Sequence, residues 1–331
     1  MSPAPLLLVP GLDDDLHRVE KAMVDSVKAG DPFLTEVASH LITAGGKRLR
    51  PALAVAVGRL APGCDGSVSD DVIMGGVAVE LVHLGSLYHD DVMDEARTRR
   101  NVESVNARWG NLVAILAGDF LLARASEIAA SLGTEVAGLL AATIGRLCEG
   151  QVRELAQTFD VSRSEESYLA SISGKTASLM STACRIGALT SGYSREGVDG
   201  FTAFGQQVGM VFQIVDDILD VVATDEELGK PAGKDMMEGV YTLPVIRALA
   251  AESNEALRKL LGNPLSASEV EAARALVKGN GAVGAAKGVA REYAAMAAKA
   301  FDTVAAGAGT DVPVAAALRS LGDDLIENLP A

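Results

Sequence analysis

Apolar residues along this chain recur at helical spacing, with no sustained alternation of period two. The clearest run sets Val72, Val79, Leu81, Val82, Leu84, Leu87 and Tyr88 on nearly every face of one helix, the pattern of a helix buried inside a bundle. A second run, Phe204, Val208, Met210, Val211, Phe212, Ile214 and Val215, is also strongly apolar. Turn formers break the pattern at Gly30-Asp31-Pro32, Ala61-Pro62-Gly63, Ser131-Leu132-Gly133, Ser191-Gly192, Gly229-Lys230-Pro231 and Gly262-Asn263-Pro264. Segments of roughly 30 to 70 residues lie between these breaks, each with room for one to three long helices, which predicts a large all-α bundle. No linker or charge block divides the chain, so residues 1–331 are expected to form one domain. The opening MSPAPLLLVPGL, residues 1–12, lacks a basic region and is interrupted by prolines, as a flexible lead-in would be and a signal peptide would not. From Gly281 to Gly309 the Ala/Gly-rich chain keeps helical spacing at Val289, Tyr293, Met296, Ala300 and Phe301, which predicts closing helices.

Composition narrows the function classes. Hydrophobic residues make up 49% of the 331, enough to build a large core and to exclude disorder for most of the chain. A net charge of −15 argues against nucleic acid, which needs clustered Lys and Arg, but allows a small anion in a local basic pocket. Cys64, Cys148 and Cys184 lie far apart with no CxxC pair, so neither a disulfide framework nor a structural zinc site is expected, and a reducing cytoplasm is the expected compartment. No stretch of about 18 residues is continuously apolar, so no transmembrane segment is expected.

Candidate chemistry enters at LGSLYHDDVMDEARTRR. Asp90 and Asp94, four residues apart, share a helix face at the end of the first buried run, with Asp91 rotated aside. Carboxylates there repel one another and oppose the helix dipole, so a cation must compensate. One such triplet alone reads as a solvated helix end. The pattern recurs, however, as Asp216, Asp217 and Asp220 after the second apolar run. Two facing triplets would make an all-oxygen cage suited to Mg²⁺ or Mn²⁺, and Mg²⁺ with few carboxylates normally bridges to phosphate oxygens. A di-iron bundle needs Glu-x-x-His on two helices, and only Glu80-Leu81-Val82-His83 supplies one.

Basic residues cluster at GGKRLRP (Lys47, Arg48, Arg50), at Arg97, Arg99 and Arg100, at Gly174-Lys175-Thr176 and at GKPAGK (Lys230, Lys234). Gly45 and Gly46 let backbone approach an anion, and Arg50 can grip a phosphate with two bonds while Lys47 acts as a point charge. His83 precedes Asp90 by about two turns, where a core histidine and a ligand are both open readings.

In order along the chain, GGKRLRP, HDDVMD with its arginine pair, GKT, FQIVDDILD and LGKPAGKD resemble the trans-isoprenyl diphosphate (polyprenyl) synthase family, of the medium- or long-chain bacterial type, from about Gly45 to Pro244. The resemblance implies antiparallel helices around a deep central cavity, usually a homodimer. It also implies Mg²⁺-dependent head-to-tail coupling of isopentenyl diphosphate to an allylic diphosphate by ionisation, coupling and proton loss. By that resemblance Asp90 and Asp94 hold two Mg²⁺ and Asp216 a third, with Mn²⁺ as a possible substitute. Asp91, Asp217 and Asp220 then support the metals from behind or through water. Arg99, Lys175, Thr176, Gln213 and Lys230 hold the allylic diphosphate, Lys175 and Lys230 serving its ionisation; Lys47, Arg50, His83 and Arg100 hold isopentenyl diphosphate.

Two stretches depart from the family pattern. A Gly-x-Pro-Thr-like turn is replaced by Asn101-Val102-Glu103-Ser104, and a commonly allylic-site lysine by Val240, with Lys234 close enough to compensate. Two rival functions remain: a class I terpene cyclase, which usually lacks DDILD and GGKRLRP, and a catalytically silent subunit of a heteromeric synthase, which tends to lose an aspartate cluster. Product length is expected to follow the helix leading to Asp90. Short-chain members place a bulky aromatic one turn before the metals, where this chain has Gly85 and Ser86. Products longer than fifteen carbons, of about twenty-five to fifty, are therefore expected, with Leu81 and Val82 narrowing the next turn. Gly85 has an alternative reading as a helix-packing glycine.

Overall fold

The computed structural model describes residues 5–228, 231–251, 254–305 and 311–330. After a 3₁₀ turn, Pro5–Leu8, the first half runs α1 (Leu12–Ser26), α2 (Pro32–Thr43), α3 (Leu49–Arg59), α4 (Asp70–Met93), α5 (Val105–Trp109), α6 (Asn111–Ser131) and α7 (Thr134–Leu155). Then come α8 (Glu165–Ile172), a π-helical turn (Ser173–Ala177), α9 (Ser178–Thr190) and α10 (Arg195–Val222). The remainder is α11 (Asp225–Leu228), α12 (Lys234–Met237), α13 (Leu243–Ala250), α14 (Glu255–Leu260), α15 (Ala267–Gly279), α16 (Ala282–Ala305) and α17 (Val312–Glu327). Strand among the described residues is limited to a hairpin, β1 (Thr98–Arg99) and β2 (Val102–Glu103), paired antiparallel. The fold is all-α.

Two helices organise the rest. Helix α4 starts where the Ser69 hydroxyl accepts the Val72 N–H at 3.4 Å, with Asp70 and Asp71 favouring the positive end of the helix dipole. It is enclosed by α3, α6 and α9, which is why its sequence is apolar all round. Helix α10 lies against α9, α16 and α17. Helix α4 is also long and apolar enough to cross a membrane, yet 72% of its apolar window is buried inside the fold, as in a core helix. A smaller apolar cluster, including Met236, Tyr241, Val245, Leu257 and Val277, joins α12–α15 to Val221 at the end of α10.

Three local expectations need correction or limits. The lead-in is anchored at Leu6, Val9 and Leu12, which are 0%, 7% and 0% exposed where the 3₁₀ turn seats against α3 and α17, while Leu8 is 67% exposed. Helix α16 supplies the closing helix as far as Ala305 and buries Val289 and Phe301, but Met296 on its outer side is exposed. Residues 306–310 lie outside the described residues. The segment at 101–104, which departs from the family turn, forms the hairpin, with Arg100 and Asn101 at φ of 54° and 62° as a two-residue turn requires.

Candidate active site

The ends of α4 and α10 meet two adjoining cavities. One, of about 570 Å³, is basic: Lys47, Arg48 and Arg50 line it from the loop and start of α3, Arg97, Arg99 and Arg100 from the hairpin, and Lys234 from α12. The other, of about 540 Å³, is walled by Leu147, Val152 and Leu155 of α7 and by Leu87 and Met93 of α4. Asp90, Lys175, Thr176, Gln213 and Asp216 belong to its polar lining. Arg50, His83, Leu87, Phe212 and Asp216 line both, so the cavities share a wall at which two ligands could meet.

Lys175 projects from the π-helical turn, a distortion that often marks functional sites. A Cβ on Gly150 would lie 2.5 Å from the Lys175 backbone nitrogen, so glycine is what lets α7 support this turn so closely. The Lys175 ammonium donates to Glu154 at 2.6 Å. Burial disfavours its charge, but Glu154 and Asp90 outweigh that and hold its pKa above the ordinary lysine value. The Thr176 hydroxyl donates to Gln213 Oε1 at 2.6 Å, and Gln213 Nε2 donates to Asp217 at 2.7 Å.

The aspartates divide into two kinds. Asp216 and Asp94 are exposed and Asp90 is half-buried, while Asp91, Asp217 and Asp220 are buried. Asp91 accepts from Arg99 Nε at 2.7 Å. Asp217 accepts from the Tyr168 hydroxyl at 2.5 Å, and Asp220 accepts the Asp235 N–H at 3.2 Å. Burial pushes the Asp90 pKa up, with Lys175 working against it and Asp94 adding to it. Asp217 is raised too, again by burial first, against its bonds from Tyr168 and Gln213.

Around the basic cavity, Arg100 donates to the carbonyls of Leu41 (3.0 Å) and Gly45. A Cβ on Gly46 would stand 2.8 Å from the Arg100 guanidinium carbon, and its φ of 154° is one that side-chain-bearing residues rarely adopt, so both favour glycine there. Burial, reinforced by Arg50 and Arg100, holds His83 well below the usual histidine pKa, leaving a neutral imidazole among arginines. Burial also lowers the pKa values of Arg50 and Arg100, and Glu80 opposes it in both.

The structure therefore places Lys47 and Arg100 on the basic cavity, Asp90, Lys175, Thr176 and Gln213 on the apolar-walled one, and Arg50, His83 and Asp216 on both. It places four expected positions differently. Arg99 lines the basic cavity instead of the apolar-walled one, held there by Asp91. Gly85 faces α6: its Cβ would meet the Gly118 carbonyl oxygen at 3.0 Å, so it is the helix-packing glycine of the alternative reading. Leu81 and Val82 are fully buried and line neither cavity. Ser86 does line the apolar-walled one. Lys230 lies outside the described residues, and Lys234 reaches the basic cavity while paired with Glu238 at 3.0 Å. Sequence reasoning did not single out Glu154, Tyr168 or the α7 wall, and read Phe212 only as part of an apolar run; an isolated Glu or Tyr in a helix carries no motif, and Gly150 inside α7 is a local signal of a close approach.

The polyprenyl synthetase family model matches residues 31–277. The chain belongs to that family. It is 40% identical over 309 residues to a nonaprenyl diphosphate synthase of Mycobacterium tuberculosis, covering 92% of this chain and 90% of the relative. With a heptaprenyl diphosphate synthase component 2 of Bacillus subtilis it shares 33% identity, over 89% and 84%. Among solved structures, the polyprenyl synthase of Caulobacter crescentus complexed with calcium and isoprenyl diphosphate superposes with a TM-score of 0.89 at 32% identity, covering 99% and 98%. The decaprenyl diphosphate synthase of Rhodobacter capsulatus gives 0.86 at 33%, covering 98% and 99%.

In this member of the family no group of three His, Cys, Asp or Glu side chains among the described residues lies close enough to form a ready-made metal cage. The donors still fit a hard divalent cation: Asp90 and Asp216 present carboxylates to one cavity and Asp94 lies exposed at the end of α4, leaving coordination positions for water and phosphate oxygens.

Proposed function

We propose that this enzyme is an (all-E) polyprenyl diphosphate synthase, joining isopentenyl diphosphate head to tail to an allylic diphosphate. The observation that carries this reading is the pair of cavities sharing lining residues, one basic and the other largely apolar but lined also by Lys175, Asp90 and Asp216. Lys47, Arg50 and Arg100 hold the isopentenyl diphosphate, and neutral His83 adds a hydrogen bond. Lys175, Thr176 and Gln213 hold the allylic diphosphate. Asp90, Asp94 and Asp216 would hold three Mg²⁺, or Mn²⁺ in its place. When bound, the metal supplies positive charge that favours departure of the diphosphate.

The protein's own residues do the rest. Lys175 neutralises charge on the departing diphosphate from a site that keeps its ammonium protonated. Leu87 and Phe212 on the shared wall exclude water from the allylic cation, and the basic cavity presents the second substrate's double bond to it. The released diphosphate can accept the proton lost after coupling, so no side-chain nucleophile is required. The apolar lining of the second cavity and the medium- and long-chain relatives support products longer than fifteen carbons. Leu112 and Leu116 of α6, 79% and 66% exposed, with Ile115 between them, offer an apolar face for a homodimer. The three unpaired cysteines suit a reducing cytoplasm.

Incubating the purified chain alone with labelled isopentenyl diphosphate and a series of allylic starters tests the reading. A synthase incorporates label into longer diphosphates. A terpene cyclase consumes the starter without the label, and a silent subunit consumes neither; either result would reject the proposal.

A further inference from the structure

Glu80 stands in the basic cavity with no part in the chemistry above. It lies three residues before His83 on α4 and is 1% exposed. Its Oε1 accepts from Arg48 Nη1 at 2.9 Å and stands 3.7 Å from Arg100 Nη2. Those arginines come from separate segments, Arg48 from the GGKRLRP loop before α3 and Arg100 from the hairpin tip after α4. Both sit at left-handed φ, 48° and 54°, which non-glycine residues hold only when their surroundings fix them. Arg48 is further tied to Glu20 and to the Ile42 carbonyl at 2.9 Å, so most of its guanidinium N–H groups are engaged within the protein. A buried carboxylate between two cations is stable only with its partners in place, which makes their geometry mutually dependent.

We propose that Glu80 is a positioning residue for isopentenyl diphosphate: one buried carboxylate ties the Lys47–Arg50 loop to the Arg99–Arg100 hairpin and sets the spacing of the cations that grip the diphosphate. It acts through the arginines and touches no substrate. The half-motif Glu80-Leu81-Val82-His83 thereby has a use other than iron: His83 lines the cavity, and Glu80 anchors its two walls. The inference rests on the basic cavity being the isopentenyl site.

The sign of one substitution separates position from charge. Removing a carboxylate beneath a diphosphate site would tighten binding if charge alone mattered. If position matters, binding weakens. Steady-state kinetics with each substrate varied in turn, on Glu80→Gln, Glu80→Asp and Lys47→Ala, decides this. Glu80→Gln should raise the isopentenyl diphosphate KM about tenfold or more and change the allylic KM by less than about twofold. Glu80→Asp, which keeps the charge on a shorter arm, should give a smaller rise, and it decides on the same KM ratio if Glu80→Gln yields little folded protein. An isopentenyl KM unchanged or lowered by the Glu80 variants, while Lys47→Ala raises it, would overturn the positioning role. If Lys47→Ala leaves it unchanged as well, the cavity assignment is wrong and the proposal falls with it.

Discussion

Phenylalanine placed at two neighbouring positions of α4 should give two different outcomes. A Cβ at residue 85 would lie 3.0 Å from the Gly118 carbonyl oxygen and 3.2 Å from Leu122 Cγ, so a ring there must push α6 away. Overpacking of this kind costs about 1–3 kcal/mol. At about 2–4 °C per kcal/mol for a large domain, Gly85→Phe should lower the melting temperature by several degrees. Residue 86 instead borders the 540 Å³ cavity, and the hydrogen bond it forfeits is only a local one from the Ser86 hydroxyl to the His83 carbonyl at 2.8 Å. Ser86→Phe should melt close to wild type and place a floor about one helical turn, ~5.4 Å, below Asp90, similar to one extended isoprene unit. Products should then shorten to about fifteen or twenty carbons. Mass spectrometry of the products alongside thermal melts reads both effects. Unchanged product lengths from an active Ser86→Phe, or shortened products from a Gly85→Phe enzyme as stable as wild type, would refute the reasoning.

Other outcomes follow from the same geometry. Activity should vanish with EDTA and return with Mg²⁺, and Asp90→Ala or Asp216→Ala should each lower turnover by about two to three orders of magnitude with helical circular dichroism intact; near wild-type turnover in either variant would remove the metal assignment. Because burial and Arg50 hold the folded His83 pKa below its unfolded value, the unfolded chain binds that proton more readily, and the stability at this site is lost as pH falls below about 6.5. The melting temperature of wild type minus that of His83→Gln should therefore decline from about pH 7.5 to 5.5, and a constant difference would contradict a buried neutral imidazole.

The framework of the site was legible because two aspartate triplets and two fully apolar helices are patterns of local sequence. Side-chain pairing across the fold was not. Nothing in GGKRLRP distinguishes Arg48, which turns inward to Glu20 and Glu80, from Arg50, which lines both cavities. Arg99 reads as an allylic ligand until Asp91, eight residues earlier in the chain, is seen to draw it aside. Gly85 and Ser86 are adjacent small residues whose difference is one of helical rotation, 100° apart around α4. The lead-in reads as flexible because prolines interrupt its apolar patch; the partners of its 3₁₀ turn lie on α3 and α17, far along the sequence. The hairpin strands are too short for a periodic signal.

The central claim is that the two cavities hold different diphosphates, and crossed kinetics on two residues that each line only one of them tests it most directly. Arg100→Ala should raise the KM for isopentenyl diphosphate with little change for the allylic substrate, while Lys175→Ala should weaken the allylic substrate or slow its ionisation with little change in the isopentenyl KM. Equal effects of both substitutions on both substrates, or the reverse pairing, would contradict the account.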